Sequence, residues 1–280
     1  LQKIEIREKL APFSHMPGVR CLVPLSDYTV QVYPAALLVQ GQKIPLPFHF
    51  PDFTVQMDLE RDCLWLWDKK HRLKLHATET GLYLGDERIA TDGKTFPKQP
   101  CERLSLGNWK AQDWDLVRRR HNLLEIAPAL FLLGQKTPVQ GTKITHPEHF
   151  FLAASQNLCV PTQEEAALLG LPPLNMEPLA LFHASYQTFR SYLLDGASIL
   201  PHLPPEWHAG RALGLQTPFG TLDLEWSKKT IRRMIVHATE SQEVAFKFKR
   251  VKSCRCNGKA SDGAVQLEAG KDYLLDRFRA

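Results

Sequence analysis

A chain of 280 residues with 44% hydrophobic and 23% charged side chains has the composition of an ordinary globular protein. Folding at this length buries roughly three quarters of the unfolded surface, so a core needs neither disulfides nor a metal. The longest apolar run, Ile126 to Leu133, contains Pro128 and is far shorter than the roughly 20 residues of a membrane-spanning helix, so no membrane span is expected.

Residues 1–105 read as strands. Lys3-Ile-Glu-Ile-Arg alternates polar and apolar, as do Asp27 to Tyr33, Phe53 to Leu59 and Cys63-Leu-Trp-Leu-Trp. Leu73 to Thr78 and Gly81 to Leu84 continue the series. Turn residues separate these runs: Met16-Pro-Gly, Pro34, Gly41, Pro45, Pro47, Pro51 and Thr91-Asp-Gly-Lys. Short strands so punctuated predict an antiparallel sandwich with one wet face per strand.

From about Asn108 the period changes. Trp114, Val117, His121 and Leu124 fall on one helical face, Pro128 is expected to end or kink that helix, and Gly134 to cap it. Thr145-His-Pro-Glu148 and Thr162-Gln-Glu-Glu165 fit capping boxes for two further helices. Asn175 fits the cap of a longer helix, with Leu179, Phe182, Tyr186, Phe189 and Leu193 as its buried stripe and Gly196 as its stop.

From about Pro201 the pattern is β again. Leu222, Leu224 and Trp226 alternate, as do Met234, Val236 and Ala238, then Val244, Phe246 and Phe248. Asn257-Gly258 signals a two-residue hairpin, and Leu267 to Leu275 supplies the last strands. The predicted fold class is α+β, mainly β: an N-terminal antiparallel β-sandwich (1–105), a short helical middle (106–200) and a small C-terminal β-sandwich (201–280).

One stretch carries a resemblance. It runs Ile199-Leu-Pro-His-Leu-Pro-Pro-Glu-Trp-His-Ala-Gly, then Leu213-Gly-Leu, then Gly220-Thr-Leu-Asp-Leu-Glu-Trp. It resembles the junction between barrel and C-terminal β-domain in (α/α)6-barrel glycoside hydrolases of the α-L-fucosidase type. There a Leu-Pro-x-x-Trp-x-x-Gly turn follows the last barrel helix. The likeness extends more weakly over about residues 192–275. It implies an architecture of β-domain, helices and β-domain, with Trp207 bracing the turn. It does not imply the activity. The family's catalytic carboxylates lie in a barrel of twelve helices, and a middle of about 95 residues at about 11 per helix is much too short for one.

Four sets of residues are candidates for chemistry. Glycoside hydrolysis needs two carboxylates roughly 5–9.5 Å apart, and the helical part offers Asp113, Asp115, Glu125, Glu148, Glu164, Glu165, Glu177 and Asp195. Several of these have a capping or first-turn role ready, and none matches a family catalytic residue. His146 and His149 lie three apart, but two ligands are not a metal site; no metal and no cofactor are expected. Phosphate-cradling glycine motifs and the Gly-x-Ser-x-Gly elbow are absent from the sequence.

Trp65 and Trp67 are two apart on one strand and share a face, opposite Leu64 and Leu66. Residue preference favours burying the tryptophans; if exposed, they form a stacking platform for sugar rings. The last set is basic. Residues 227–259 hold ten Lys and Arg against Glu240 and Glu243, a local +8 in a chain of net +5. Lys228, Lys229, Arg232, Arg233, Lys247, Lys249 and Arg250 are its candidate polyanion-binding residues. No nucleic-acid-binding motif accompanies them, so nucleic acid is the less favoured partner.

The six cysteines include no Cys-x-x-Cys pair, which fits reduced thiols in a cytoplasmic protein. Because the chain opens on Leu1 rather than Met, a removed leader and a secreted protein are the alternative. The functional expectation is a non-catalytic, glycosidase-like protein that binds a carbohydrate or a protein partner. The alternatives are a glycan hydrolase with carboxylates in a cleft between β-domain and helices, and a nucleic-acid or polyanion binder acting through the basic stretch.

Overall fold

The computed structural model describes residues 3–107, 113–120, 123–137 and 179–279. Strands outweigh helices, and the class is α+β, mainly β. The chain forms two compact units, one of Lys9–Pro100 with Lys110–Tyr186, the other of Leu1–Glu8, Cys101–Trp109 and Gln187–Ala280.

The first unit holds β1 (Phe13–Ser14), β2 (Val19–Leu22), β3 (Thr29–Tyr33), β4 (Ala36–Val39), β5 (Gln42–Pro45), β6 (Thr54–Asp58), β7 (Cys63–Trp67), β8 (Arg72–Thr78), β9 (Gly81–Leu84) and β10 (Glu87–Ala90). They make two antiparallel sheets, a six-stranded one in the order β1-β6-β7-β8-β9-β10 and a four-stranded meander β2-β3-β4-β5. The period-two pattern explains the larger sheet. Val55, Met57, Leu64, Leu66, Leu75, Leu82 and Leu84 are buried on one face, while Gln56, Trp65, Lys74 and Tyr83 alternate with them and reach partly or fully into solvent.

The same unit contains α1 (Trp114–Arg120) and α2 (Leu123–Gly134). Pro128 does not end α2. A proline there removes one backbone donor, but every residue from Ile126 to Leu133 other than the proline is an apolar side chain in the core, and that packing outweighs the lost bond. Gly134 is the last residue of the helix, and close packing calls for glycine there: a Cβ would lie 2.2 Å from the carbonyl oxygen of Phe182. Phe182 sits on α3 (Ala180–Leu193), whose residues up to Tyr186 belong to this unit. The predicted stripe of α3 is largely as expected, with Leu179, Phe182, Phe189 and Leu193 buried and Tyr186 half-buried. The capping boxes at Thr145 and Thr162, the Asn175 cap, and His146, His149, Glu148, Glu164, Glu165 and Glu177 lie outside the described residues.

The second unit holds β11 (Arg103–Leu106), β12 (Leu194–Asp195), β13 (Ser198–Ile199), β14 (Ala209–Thr217), β15 (Gly220–Ser227), β16 (Thr230–Ala238), β17 (Glu243–Ala245), β18 (Lys247–Phe248), β19 (Ser253–Cys256), β20 (Lys259–Ser261), β21 (Ala264–Gln266) and β22 (Asp272–Arg279). Seven of them form one sheet, β11-β14-β15-β16-β22-β19-β20. The strand at Arg103–Leu106 therefore pairs with β14 near the other end of the chain, and the units cut across a sequential division at 105 and 200. Leu222, Leu224, Trp226, Met234, Val236 and Leu275 line its buried face. Asn257 and Gly258 form the β19–β20 turn with φ of 47° and 82°, the left-handed pair that a tight hairpin requires.

Two predicted strands differ. The run Lys3 to Arg7 alternates in burial but makes no ladder. Guanidinium groups satisfy its carbonyls instead: Arg211 donates to the Glu5 oxygen at 3.2 Å and Arg103 to the Glu8 oxygen at 2.8 Å. The run Val244 to Phe248 is two short strands that change partner at Phe246, β17 pairing with β21 and β18 running parallel to β13.

Candidate functional site

Trp65 and Trp67 lie on the wet face of the six-stranded sheet, with the leucines between them in the core. Trp67 is 37% exposed and Trp65 half-buried, so residue preference did not decide their side. The tryptophan face is itself covered in part, with Cys63 and Thr54 buried beside the two rings, but the apolar layer lies on the other side. Leu64 and Leu66 take that side because their partners across the ladders, Met57, Val55, Leu75 and Leu73, form a continuous apolar layer.

The register places cations beside both rings. Trp65 stands opposite Lys74, and Trp67 opposite Arg72. On the diagonal, the Arg72 guanidinium carbon sits 3.9 Å from the centroid of the Trp65 ring, a stacked cation–π contact. On the next strands His76 faces Tyr83 with ring centroids 5.8 Å apart, and Arg88 stands opposite Tyr83. The His76 imidazole is held below its ordinary pKa, first by burial and then by the charge of Lys74, with Asp86 opposing. Asp58, the acid on this face of β6, is occupied: its Oδ1 accepts the amides of Glu60 and Arg61 at 3.1 and 3.0 Å, and its other oxygen lies 3.8 Å from the Arg61 side chain. Among the described residues, no carboxylate is ion-paired with Arg72, Lys74 or Arg88.

The basic stretch does not form one surface element. Lys228 and Lys229 are exposed in the β15–β16 turn, both with positive φ, and Arg232 is exposed just beyond it. Arg233 is engaged, its Nε donating to Glu225 at 2.7 Å while Arg211 donates to the other Glu225 oxygen at 3.0 Å. Burial disfavours the Glu225 charge, yet the two arginines together hold its pKa below the usual carboxylate range. Lys247, Lys249 and Arg250 are exposed on and after β18, in a different sheet.

Three acids of the helical part that the structure describes have structural partners. Asp115 accepts the Ser14 hydroxyl at 2.6 Å and the His15 amide at 3.1 Å, Asp113 accepts the Asp115 amide at 2.9 Å, and Glu125 pairs with Arg120 at 2.9 Å. Asp195 is exposed in β12. Among the described residues no group of three or more His, Cys, Asp or Glu is placed to hold a metal ion, and no helix is long and apolar enough to cross a membrane.

The structure adds one cluster that periodicity did not reveal. In the second unit a cleft of about 630 Å³ is lined by Lys3, Glu5, Arg7, Asp223, His237 and Asp272, among others. His237 Nδ1 is 2.8 Å from Asp272 and Nε2 is 3.3 Å from Asp223, a geometry in which an imidazolium donates to both. Burial opposes the charge, but the bonds to Asp272 and Asp223 outweigh it and the pKa is raised. The three residues come from separate strands, and only the ladder brings them together.

The junction segment is braced by aromatic packing. Trp207 is fully buried against Phe189 and Tyr192, with ring centroids 5.7 Å from each, and its carbonyl accepts the Trp226 indole N–H at 3.1 Å. No protein-family model matches the chain, and no curated protein matches it in sequence.

Proposed function

We propose that the protein binds a carbohydrate, without acting on it chemically, through the wet face of the six-stranded sheet. The observation that carries this reading is Trp67, an exposed indole beside a second indole on a flat, rigid strand pair. Sugar rings pack their C–H faces on such planes, and the neighbouring Gln56 and Lys74 supply hydrogen-bond donors for hydroxyls. The engagement of Asp113, Asp115 and Glu125 in local bonds supports binding over hydrolysis. The glycosidase-like junction at residues 199–226 is in keeping with a glycan ligand.

The test is a glycan array probed with the wild type and with Trp67→Ala. The expected result is binding to one glycan class that falls at least about tenfold in the variant, the scale of losing one well-placed aromatic contact. Undiminished binding by a folded Trp67→Ala protein would overturn the reading.

A second reading rests on Lys228, Lys229, Arg232, Lys247, Lys249 and Arg250, which are exposed. It makes the second unit a polyanion binder. Its mark is affinity that falls steeply with salt and is indifferent to Trp67.

A further inference from the structure

We infer that the sugar recognised by the Trp65–Trp67 face carries a carboxylate, as a hexuronic acid does. The inference rests on the carbohydrate-binding reading and deepens it.

Three features of the face carry it. First, Trp67 is the open ring, while Trp65 is roofed by the Arg72 guanidinium at 3.9 Å. A guanidinium seated over an indole face has that face closed to its N–H donors, which are left to point outward. That is the fork a carboxylate accepts bidentately. Stacking also fixes the fork, so less side-chain freedom is lost when an anion docks. Second, Arg72 stands directly across the ladder from Trp67. A sugar ring lying on Trp67 therefore has its edge within reach of the fork, since side chains paired across a ladder are about 5 Å apart at Cβ. Third, the charge is unbalanced. Arg72, Lys74 and Arg88 lie on this face, no described carboxylate is ion-paired with them, and Asp58 is held by Arg61 and two turn amides.

A neutral sugar offers the fork hydroxyls but no charged, bidentate acceptor. A single-stranded nucleic acid needs several open aromatic planes in succession along a cationic track. Here one plane is open, Trp65 is covered, and the Tyr83 hydroxyl is bonded to Thr80 at 2.8 Å. One ring plus one fixed fork matches one acidic sugar.

The experiment compares an oligouronide, its carboxyl-reduced neutral counterpart, a sulfated glycan of equal length and a single-stranded oligonucleotide by calorimetry at moderate salt. The proteins are the full chain, Trp67→Ala, Arg72→Gln and the double variant Lys247→Gln/Lys249→Gln, each checked for folding by its thermal melt. The expected result is that wild type prefers the oligouronide to its reduced counterpart by about tenfold or more, the value of one charge-assisted fork. Arg72→Gln should abolish that preference and keep the neutral affinity, Trp67→Ala should lose both, and the double variant should match wild type.

Equal wild-type affinity for the acidic and reduced sugars overturns this inference and leaves the carbohydrate reading standing. No binding of either sugar overturns both. Tighter binding of the sulfated glycan or the oligonucleotide, or an acid preference lost in the Lys247/Lys249 variant and kept in Arg72→Gln, overturns the inference by placing recognition elsewhere.

Discussion

Arg190 holds the Glu102 carboxylate in a fork closed from one side, its Nε lying 3.0 and 3.1 Å from the two oxygens. Glu102 is 1% exposed, and its Oε1 also accepts the Gln216 amide at 2.7 Å. The pair ties the segment just before β11 to α3 and to β14 within the second unit. Replacing Arg190 by Ala would take the guanidinium away from a buried anion. A loss of about 3 kcal/mol is expected, at the low end for broken buried pairs because Arg190 itself is partly exposed. Urea denaturation would measure it, and the double change Arg190→Met/Glu102→Leu should recover most of the loss. An Arg190→Ala midpoint equal to wild type would show that the pair is not structural.

The Trp226 indole N–H reaches the carbonyl of Trp207 inside the core. Trp226→Phe keeps most of the apolar volume but strands that carbonyl. The expected cost is about 1–3 kcal/mol, the penalty of a buried acceptor without a partner. Thermal melts of the variant beside Trp226→Leu separate the hydrogen bond from the packing, because the second change adds a cavity. A melt for Trp226→Phe unchanged from wild type would mean the carbonyl finds another donor.

The His237 pKa is raised in the folded protein above its unfolded value near 6.5. Its contribution to stability is therefore fully present below about pH 6.5 and disappears as pH rises through the folded value. Since the side chain is 40% exposed, solvent screens the pair and the effect is at most about 1 kcal/mol. The stability difference between wild type and His237→Gln, measured at pH 6 and pH 9, should be larger at pH 6. A difference that grows toward pH 9 would refute the doubly bonded imidazolium.

The cysteines should differ in reactivity. The Cys63 thiol is pushed up to about 11, first by burial and then by Asp58, and burial likewise raises Cys254. Cys101 and Cys256 are partly exposed, though burial raises the Cys256 thiol as well. Alkylation of the native protein at pH 7.5, read by peptide mass mapping, should mark Cys101 first among the described cysteines, with Cys63 protected until unfolding. Equal rates at Cys63 and Cys101 would contradict the buried placement.

What could be read from the sequence was what is local. Alternation located β7, β15 and β16, and Asn257-Gly258 located a turn, because side-chain period and left-handed φ are properties of neighbouring residues. Pairing over distance was not legible. A strand at Arg103–Leu106 carries no mark saying that its partner is β14, and nothing local says that Asp223, His237 and Asp272 meet. The side of the sheet taken by Trp65 and Trp67 was equally hidden, since Leu64 and Leu66 alternate with them and both sets are apolar. Hydrophobicity alone is symmetric there, and the layer formed by Val55, Met57 and Leu75 breaks the symmetry.

The chain order of the two units has a consequence for synthesis. The second unit draws on residues 1–8, 101–109 and 187–280, so the first is threaded through it as two insertions. A ribosome releases β11 long before β14 exists, and that strand must wait with an open edge while the intervening chain emerges. The protein cannot be divided by a single cut. A fragment beginning at residue 187 would lack β11, leave one edge of β14 uncapped, and strip Glu102 from Arg190. To keep the second unit whole without the first, two internal pieces, Lys9–Pro100 and Lys110–Tyr186, would have to be removed and the chain rejoined on either side of β11.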